Sequence, residues 1–135
     1  MSWLSKIIGG PGEQRLRVLA VLPNPPDRAA FAGIAAHARW EVRMASTCDS
    51  AEEILKHHPV DVIVCDRDVK PAGWRGAIEA LSTHAPHSRF ILSTPANDDK
   101  LWLEVIERGG YDVLSTPLHE DRVIRAINQA AKQHS

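Results

Sequence analysis

The stretch Val60-Asp61-Val62-Ile63-Val64-Cys65-Asp66 is an almost unbroken β-branched run that ends on a carboxylate. Without polar alternation it suits a strand covered on both faces, as in a parallel sheet between helices. A central parallel strand requires further strands and helical crossovers, and the flanking sequence supplies them. Leu16–Leu22 reads as a first strand, closed by Pro23-Asn24-Pro25-Pro26, where three prolines permit neither strand nor helix interior. Asp27 is expected to cap a helix running to Ala38. Trp40–Met44 alternates like an edge strand, and Asp49 or Ser50 is expected to cap a second helix that stops before Pro59. After the Asp66 strand come a Lys70-Pro71-Ala72-Gly73 loop and a helix over Trp74–Thr83. Arg89–Ser93 is a fourth strand. A helix over Asp98–Arg108, with Leu101, Trp102, Val105 and Ile106 as its apolar stripe, stops at Gly109-Gly110. Tyr111–Leu114 and a helix over Glu120–Lys132 complete the pattern.

Five strands alternating with five helices predict an α/β chain: a flavodoxin-like, doubly wound (βα)5 three-layer sandwich with right-handed crossovers and strand order 2-1-3-4-5. The 135 residues suffice for one domain, expected over 15–135, preceded by an extension or linker over 1–14. That extension is expected either to fray or to pack Trp3, Leu4, Ile7 and Ile8 against some surface as a short amphipathic helix, cut off by Gly9-Gly10-Pro11-Gly12. Sixteen Lys and Arg against 17 Asp and Glu leave a formal charge of -1, which argues against nonspecific nucleic-acid binding. There is no apolar run of transmembrane length and no signal peptide, so the expectation is a cytoplasmic protein without membrane contact. Cys48 and Cys65 have no zinc spacing, and Cys65 reads as a reduced core thiol. His57-His58 and the pair His84 and His87 lack an acidic or thiol partner at ligand spacing.

In the expected sheet order the loops after strands one, three, four and five share one edge, where open α/β sheets do their chemistry. Asp66 lies at that edge. Here the residues resemble the receiver domain of bacterial two-component response regulators, the CheY-like family. The resemblance covers about Leu16 to the C-terminus. It rests on Val62-Ile63-Val64-Cys65-Asp66, Phe90-Ile91-Leu92-Ser93-Thr94 and Gly110-Tyr111-Asp112-Val113-Leu114-Ser115-Thr116-Pro117-Leu118. It implies that Asp66 is the phosphoacceptor, attacking the phosphorus of a phosphohistidine, and that Ser93, with Thr94 beside it, supplies a hydroxyl. It also implies that Asp66 and the main chain of Asp68 help ligate Mg²⁺, and that a cis peptide bond precedes Pro117. Such chemistry consists of positioning and charge neutralisation.

The departures from the family pattern lie in the charged groups. Leu22 and Pro23 stand where the family has its magnesium-binding acidic pair, and Asn24 next in line offers only an amide. Thr116 replaces the lysine before Pro117, and Val113 stands where the family often has an aromatic. Arg67 and Lys70 are the nearest substitutes for the lysine, and Asp27, Asp68, Asp98 and Asp99 are carboxylates expected near this edge. The resemblance therefore implies a degenerate, or pseudo-receiver, domain: a signalling module rather than an enzyme. Its phosphotransfer would be impaired, and its partner would be a histidine kinase or another signalling protein. With no DNA-binding module after Ser135, the expectation is a stand-alone receiver. It would act, or form a homodimer, through helix four, strand five and helix five, presenting Lys100, Glu104, Arg108, Glu120, Asp121, Arg122 and Arg125. Two other readings stay open: a working phosphoacceptor with an atypical Mg²⁺ site, and a flavodoxin-like nucleotide- or flavin-binding enzyme. The last needs a phosphate cradle of N–H groups after strand one, where the prolines leave only Asn24 as a donor.

Overall fold

The computed structural model describes residues 15–134; the extension read into residues 1–14 lies outside the described residues. Strands and helices alternate as β1 (Arg17–Val21), α1 (Pro25–Ala38), β2 (Glu41–Ala45), α2 (Cys48–His57) and β3 (Val62–Asp66). They continue as α3 (Gly73–His84), β4 (Arg89–Thr94), α4 (Asp99–Glu107), β5 (Asp112–Ser115) and α5 (Glu120–His134). All four strand pairings are parallel, and the sheet order is β2-β1-β3-β4-β5, as expected.

Side-chain alternation along the strands splits the core in two. Val18, Ala20, Val62, Val64 and Ile91 join Phe31 of α1 and Val123 and Ile127 of α5. Leu19, Val21, Ile63, Cys65 and Leu92 join Leu55 of α2, Trp74 and Leu81 of α3, and Val105 of α4. The result is three layers, with α1 and α5 on one face and α2, α3 and α4 on the other. Both cysteines are buried free thiols, and burial pushes the Cys65 thiol far above its usual range. Among the described residues no helix is long and apolar enough to cross a membrane.

The helix starts differ from the sequence reading in two places. Asn24, not Asp27, caps α1: its side chain accepts the Asp27 N–H at 3.3 Å, and Pro25 and Pro26 occupy the first two helical positions. The prolines begin the helix because those positions have no intrahelical use for an N–H. Thr47, not Asp49 or Ser50, caps α2, and Ser50 closes a reciprocal capping box with it. Asp98 caps α4, accepting the Leu101 N–H at 2.8 Å.

The apolar stripe of α4 also needs correction. Val105 is fully buried and Leu101 partly so, but Trp102 is 44% and Leu103 51% exposed. The nine-residue helix lies beside the short edge strand β5, which leaves one side of it uncovered. The charged residues assigned to the helix four, strand five and helix five face divide as well. Glu104 turns toward α3, bonding Arg75 at 2.5 and 2.6 Å and Arg108 at 2.9 Å. Glu120 turns toward α1, pairing with His37 at 3.1 Å.

Candidate phosphoacceptor site

Asp66 is the last residue of β3, and the chain turns tightly behind it. The Arg67 N–H donates to the Ser93 carbonyl at 3.0 Å, and the Trp74 N–H returns to the Arg67 carbonyl at 2.9 Å. Gly73 makes the return feasible: its φ of 76° lies in the left-handed region, and a Cβ there would sit 3.6 Å from the Arg67 carbonyl oxygen. The Asp66 carboxylate accepts the Asp68 N–H at 2.8 Å. In the sheet register Asp66 pairs with Ser93, and alternation puts both on the side of α1 and α5. Ser93 is fully buried and its hydroxyl has no hydrogen-bond partner, whereas the Thr94 hydroxyl accepts the Ala96 N–H at 3.1 Å. One strand further out, the Thr116 N–H donates to the Thr94 carbonyl at 3.0 Å, and the Thr116–Pro117 bond is cis, as the resemblance implies. Asp66, Ser93, Thr94, Thr116 and Pro117 thus converge at one sheet edge.

The electrostatics of Asp66 are unfavourable to its charge. Burial pushes its carboxyl above the usual range, against the pull of the Asp68 N–H, and the carboxylates of Asp68 and Asp27 push it further. Arg67 is the cation that opposes them, so it partly takes the role expected of it, while the main chain of Lys70 is tied to α2 through the Cys48 N–H. Because the folded state holds this proton more tightly than the unfolded chain does, ionisation of Asp66 lowers stability above its folded value. That deficit is absent below the unfolded value of about 3.9. Asp66→Asn should therefore unfold at a higher temperature than the parent at neutral pH, and the gap should close as pH falls through the carboxylate range. A melting series against pH checks this; an unchanged or lower melting temperature at neutral pH contradicts it.

Leu22 does not line the site at all. It is fully buried in the α1 and α5 core, and its N–H bonds the Ala45 carbonyl at 2.9 Å. Asn24 is committed as a helix cap. Asp68 is exposed, 3.5 Å from Arg67. Among the described residues no group of three or more His, Cys, Asp or Glu side chains is placed to hold a metal ion. Magnesium takes an octahedron of hard oxygens. The donor set here, Asp66 with Asp68 and neighbouring carbonyls, does not fit the carboxylate cluster that the resemblance implies.

Two features were missed from the sequence. Arg28, in the first turn of α1, reaches back to the Leu22 carbonyl at 3.3 Å and the Ser46 hydroxyl at 2.5 Å, so a cation stands near the C-terminal ends of β1 and β2. Trp74, just past the Asp66 loop, lies beneath the guanidinium groups of Arg75 and Arg108, 5.0 and 5.8 Å from its ring centre. Glu104 grips both arginines, which hold its carboxyl down at about 2. A cavity of about 520 Å³ opens beside this cluster, with Arg67, Asp68, Trp74, Asp98 and Lys100 in its wall. Partners this far apart in the chain leave no local sequence signal.

The sheet order, an acid at the end of β3, hydroxyls at the end of β4 and a cis X-Pro step after β5 together define a receiver-type fold. Solved structures agree. A beryllofluoride-activated NtrC4 receiver domain dimer superposes with a TM-score of 0.81 at 24% identity, covering 88% of this chain and 98% of that one. A CheY-like receiver domain protein from Methanospirillum hungatei gives 0.80 at 13%, covering 90% and 97%. The chemotaxis response regulator CheY4 of Vibrio cholerae gives 0.79 at 17%, covering 87% and 99%. The chain therefore has the fold of response regulator receiver domains. No protein-family profile matches it, and no curated protein matches it in sequence.

Proposed function

We propose that this chain is a receiver-like module of two-component signal transduction that acts by protein–protein contact, with phosphorylation at Asp66 impaired. The observation that carries the reading is the charge inventory around Asp66. Leu22 is buried in the core, Pro23 and Asn24 supply no carboxylate, Thr116 supplies no cation, and among the described residues Arg67 is the cation that opposes the carboxylates of Asp68 and Asp27. Phosphoryl transfer depends on neutralising the equatorial oxygens, and this edge offers little with which to do it. A histidine kinase or another signalling protein is the partner. The contact surface is the uncovered side of α4 with β5 and α5, where Trp102 and Leu103 are exposed. Self-association through this face is a second option; the similar NtrC4 receiver domain was solved as a dimer.

The test is incubation with a small-molecule phosphodonor and Mg²⁺, read by intact mass. The expected result is little or no gain of a phosphoryl group. A stoichiometric gain abolished by Asp66→Asn would overturn the impaired reading in favour of a working phosphoacceptor.

A further inference from the structure

At the sheet edge opposite Asp66, the α2–β3 and α3–β4 connections enclose a second cavity of about 390 Å³. Its wall carries Arg17, Lys56, His57, His58, His84 and His87, and no carboxylate. Leu55, Val60 and Pro86 give it an apolar part. Carboxylates stand behind this wall and are engaged there. Asp61 accepts the Arg17 N–H at 2.8 Å and its guanidinium at 3.2 Å. Glu53 lies 3.5 Å from both Lys56 and His57, and Glu52 lies 3.2 Å from His84.

The charge around the cavity therefore depends on the imidazoles. Arg17 and Lys56 in the wall, and Arg43 beside His57 and His58, are fixed cations that offset the three carboxylates Glu52, Glu53 and Asp61. Protonation of His57, His58, His84 and His87 tips the balance strongly positive, with the basic groups nearer the cavity than the acids. Helices α2 and α3 end at His57 and His84, so both helices run out at this edge. A volume of this size suits a small molecule rather than a single ion, and the apolar wall would be wasted on an inorganic anion.

We propose that this cavity is a pH-gated binding site for a small organic anion, an apolar body with one carboxylate- or sulfonate-type head. Anion and protons bind cooperatively: each raises the affinity for the other by the same factor. The site is separate from Asp66, and its test is independent of the receiver reading.

The full chain is titrated with benzenesulfonate, whose charge does not change with pH, and followed by amide and imidazole NMR signals. Titrations are run at about pH 5.8 and about pH 8.0, on either side of the imidazole range. Sulfate (the head alone) is run in parallel. Saturable shifts at Val60, Ser88 and the four histidine rings are expected at the lower pH, with affinity at least about tenfold weaker at the higher. Sulfate should bind more weakly than benzenesulfonate, and a His58→Gln, His87→Gln double variant should show a smaller difference in affinity between the two pH values. Equal affinity at both pH values, no saturable response at the lower one, or shifts confined to other surfaces would each overturn the proposal. Sulfate binding as tightly as benzenesulfonate would overturn the ligand class. The parent chain's pH series decides the matter even if the double variant does not fold.

Discussion

Trp74→Ala should cost the fold about 3–5 kcal/mol, measured by urea unfolding. Trp74 is 2% exposed and belongs to the core beneath α2, α3 and α4, with Ile78, Leu81 and Val105 in the same cluster. Truncation removes the transfer energy of the indole and leaves a cavity in this cluster, whose walls relax only partly. Its Nε1 has no hydrogen-bond partner, so no hydrogen bond is lost with the ring, only its packing and the Arg75 and Arg108 contacts over its face. That separates two variants. Trp74→Phe, which keeps most of the apolar bulk and removes the unpartnered N–H, should lose far less than Trp74→Ala. Similar losses for the two would mean that the indole N–H matters more than its packing. Against a total stability of about 5–15 kcal/mol, the alanine variant should be visibly fragile. Because Trp74 lies in the first turn of α3 directly behind the Asp66 turn, its loss should also loosen the candidate site.

Gly110→Ala should destabilise by about 1–3 kcal/mol in the same assay, through crowding rather than a void. A Cβ at residue 110 would lie 2.5 Å from Val105 Cγ1 and 3.0 Å from the Val105 carbonyl oxygen. Val105 is fully buried, and its carbonyl already accepts the Gly110 N–H at 2.8 Å, so neither atom can retreat. The strain would pass into β5, because the next residue, Tyr111, donates to the Phe90 carbonyl at 2.7 Å. An alanine variant as stable as the parent would show that the end of α4 can move away from β5.

These two positions mark how far the sequence could be read. The Gly109-Gly110 stop was legible because terminating a helix is a local matter, and so were the strands and their order, which follow from short-range periodicity. The caps depart from the sequence reading because prolines suit the first turn of α1 after Asn24, and because Thr47 and Ser50 share one capping box at α2. The burial of Trp102 was misjudged because a short helix against an edge strand covers less than a full apolar stripe. At the site, Asp66 was legible as the polar end of an apolar strand, and the missing acids and lysine were legible as substitutions. The inward packing of Leu22, the reach of Arg28 and the Arg75–Glu104–Arg108 cluster over Trp74 were not, because each depends on elements brought together only by the tertiary fold.

The burial of Leu22 bears on whether a metal site could be built at this edge. A Leu22→Asp substitution would not supply a ligand. It would place a carboxylate in the apolar layer under α1, with the main chain already bonded to Ala45 and Arg28. That single change would lower stability before it conferred any metal affinity. Packing at one leucine thus acts as a lock, so an acidic pair could be introduced only together with a rebuilt turn after β1.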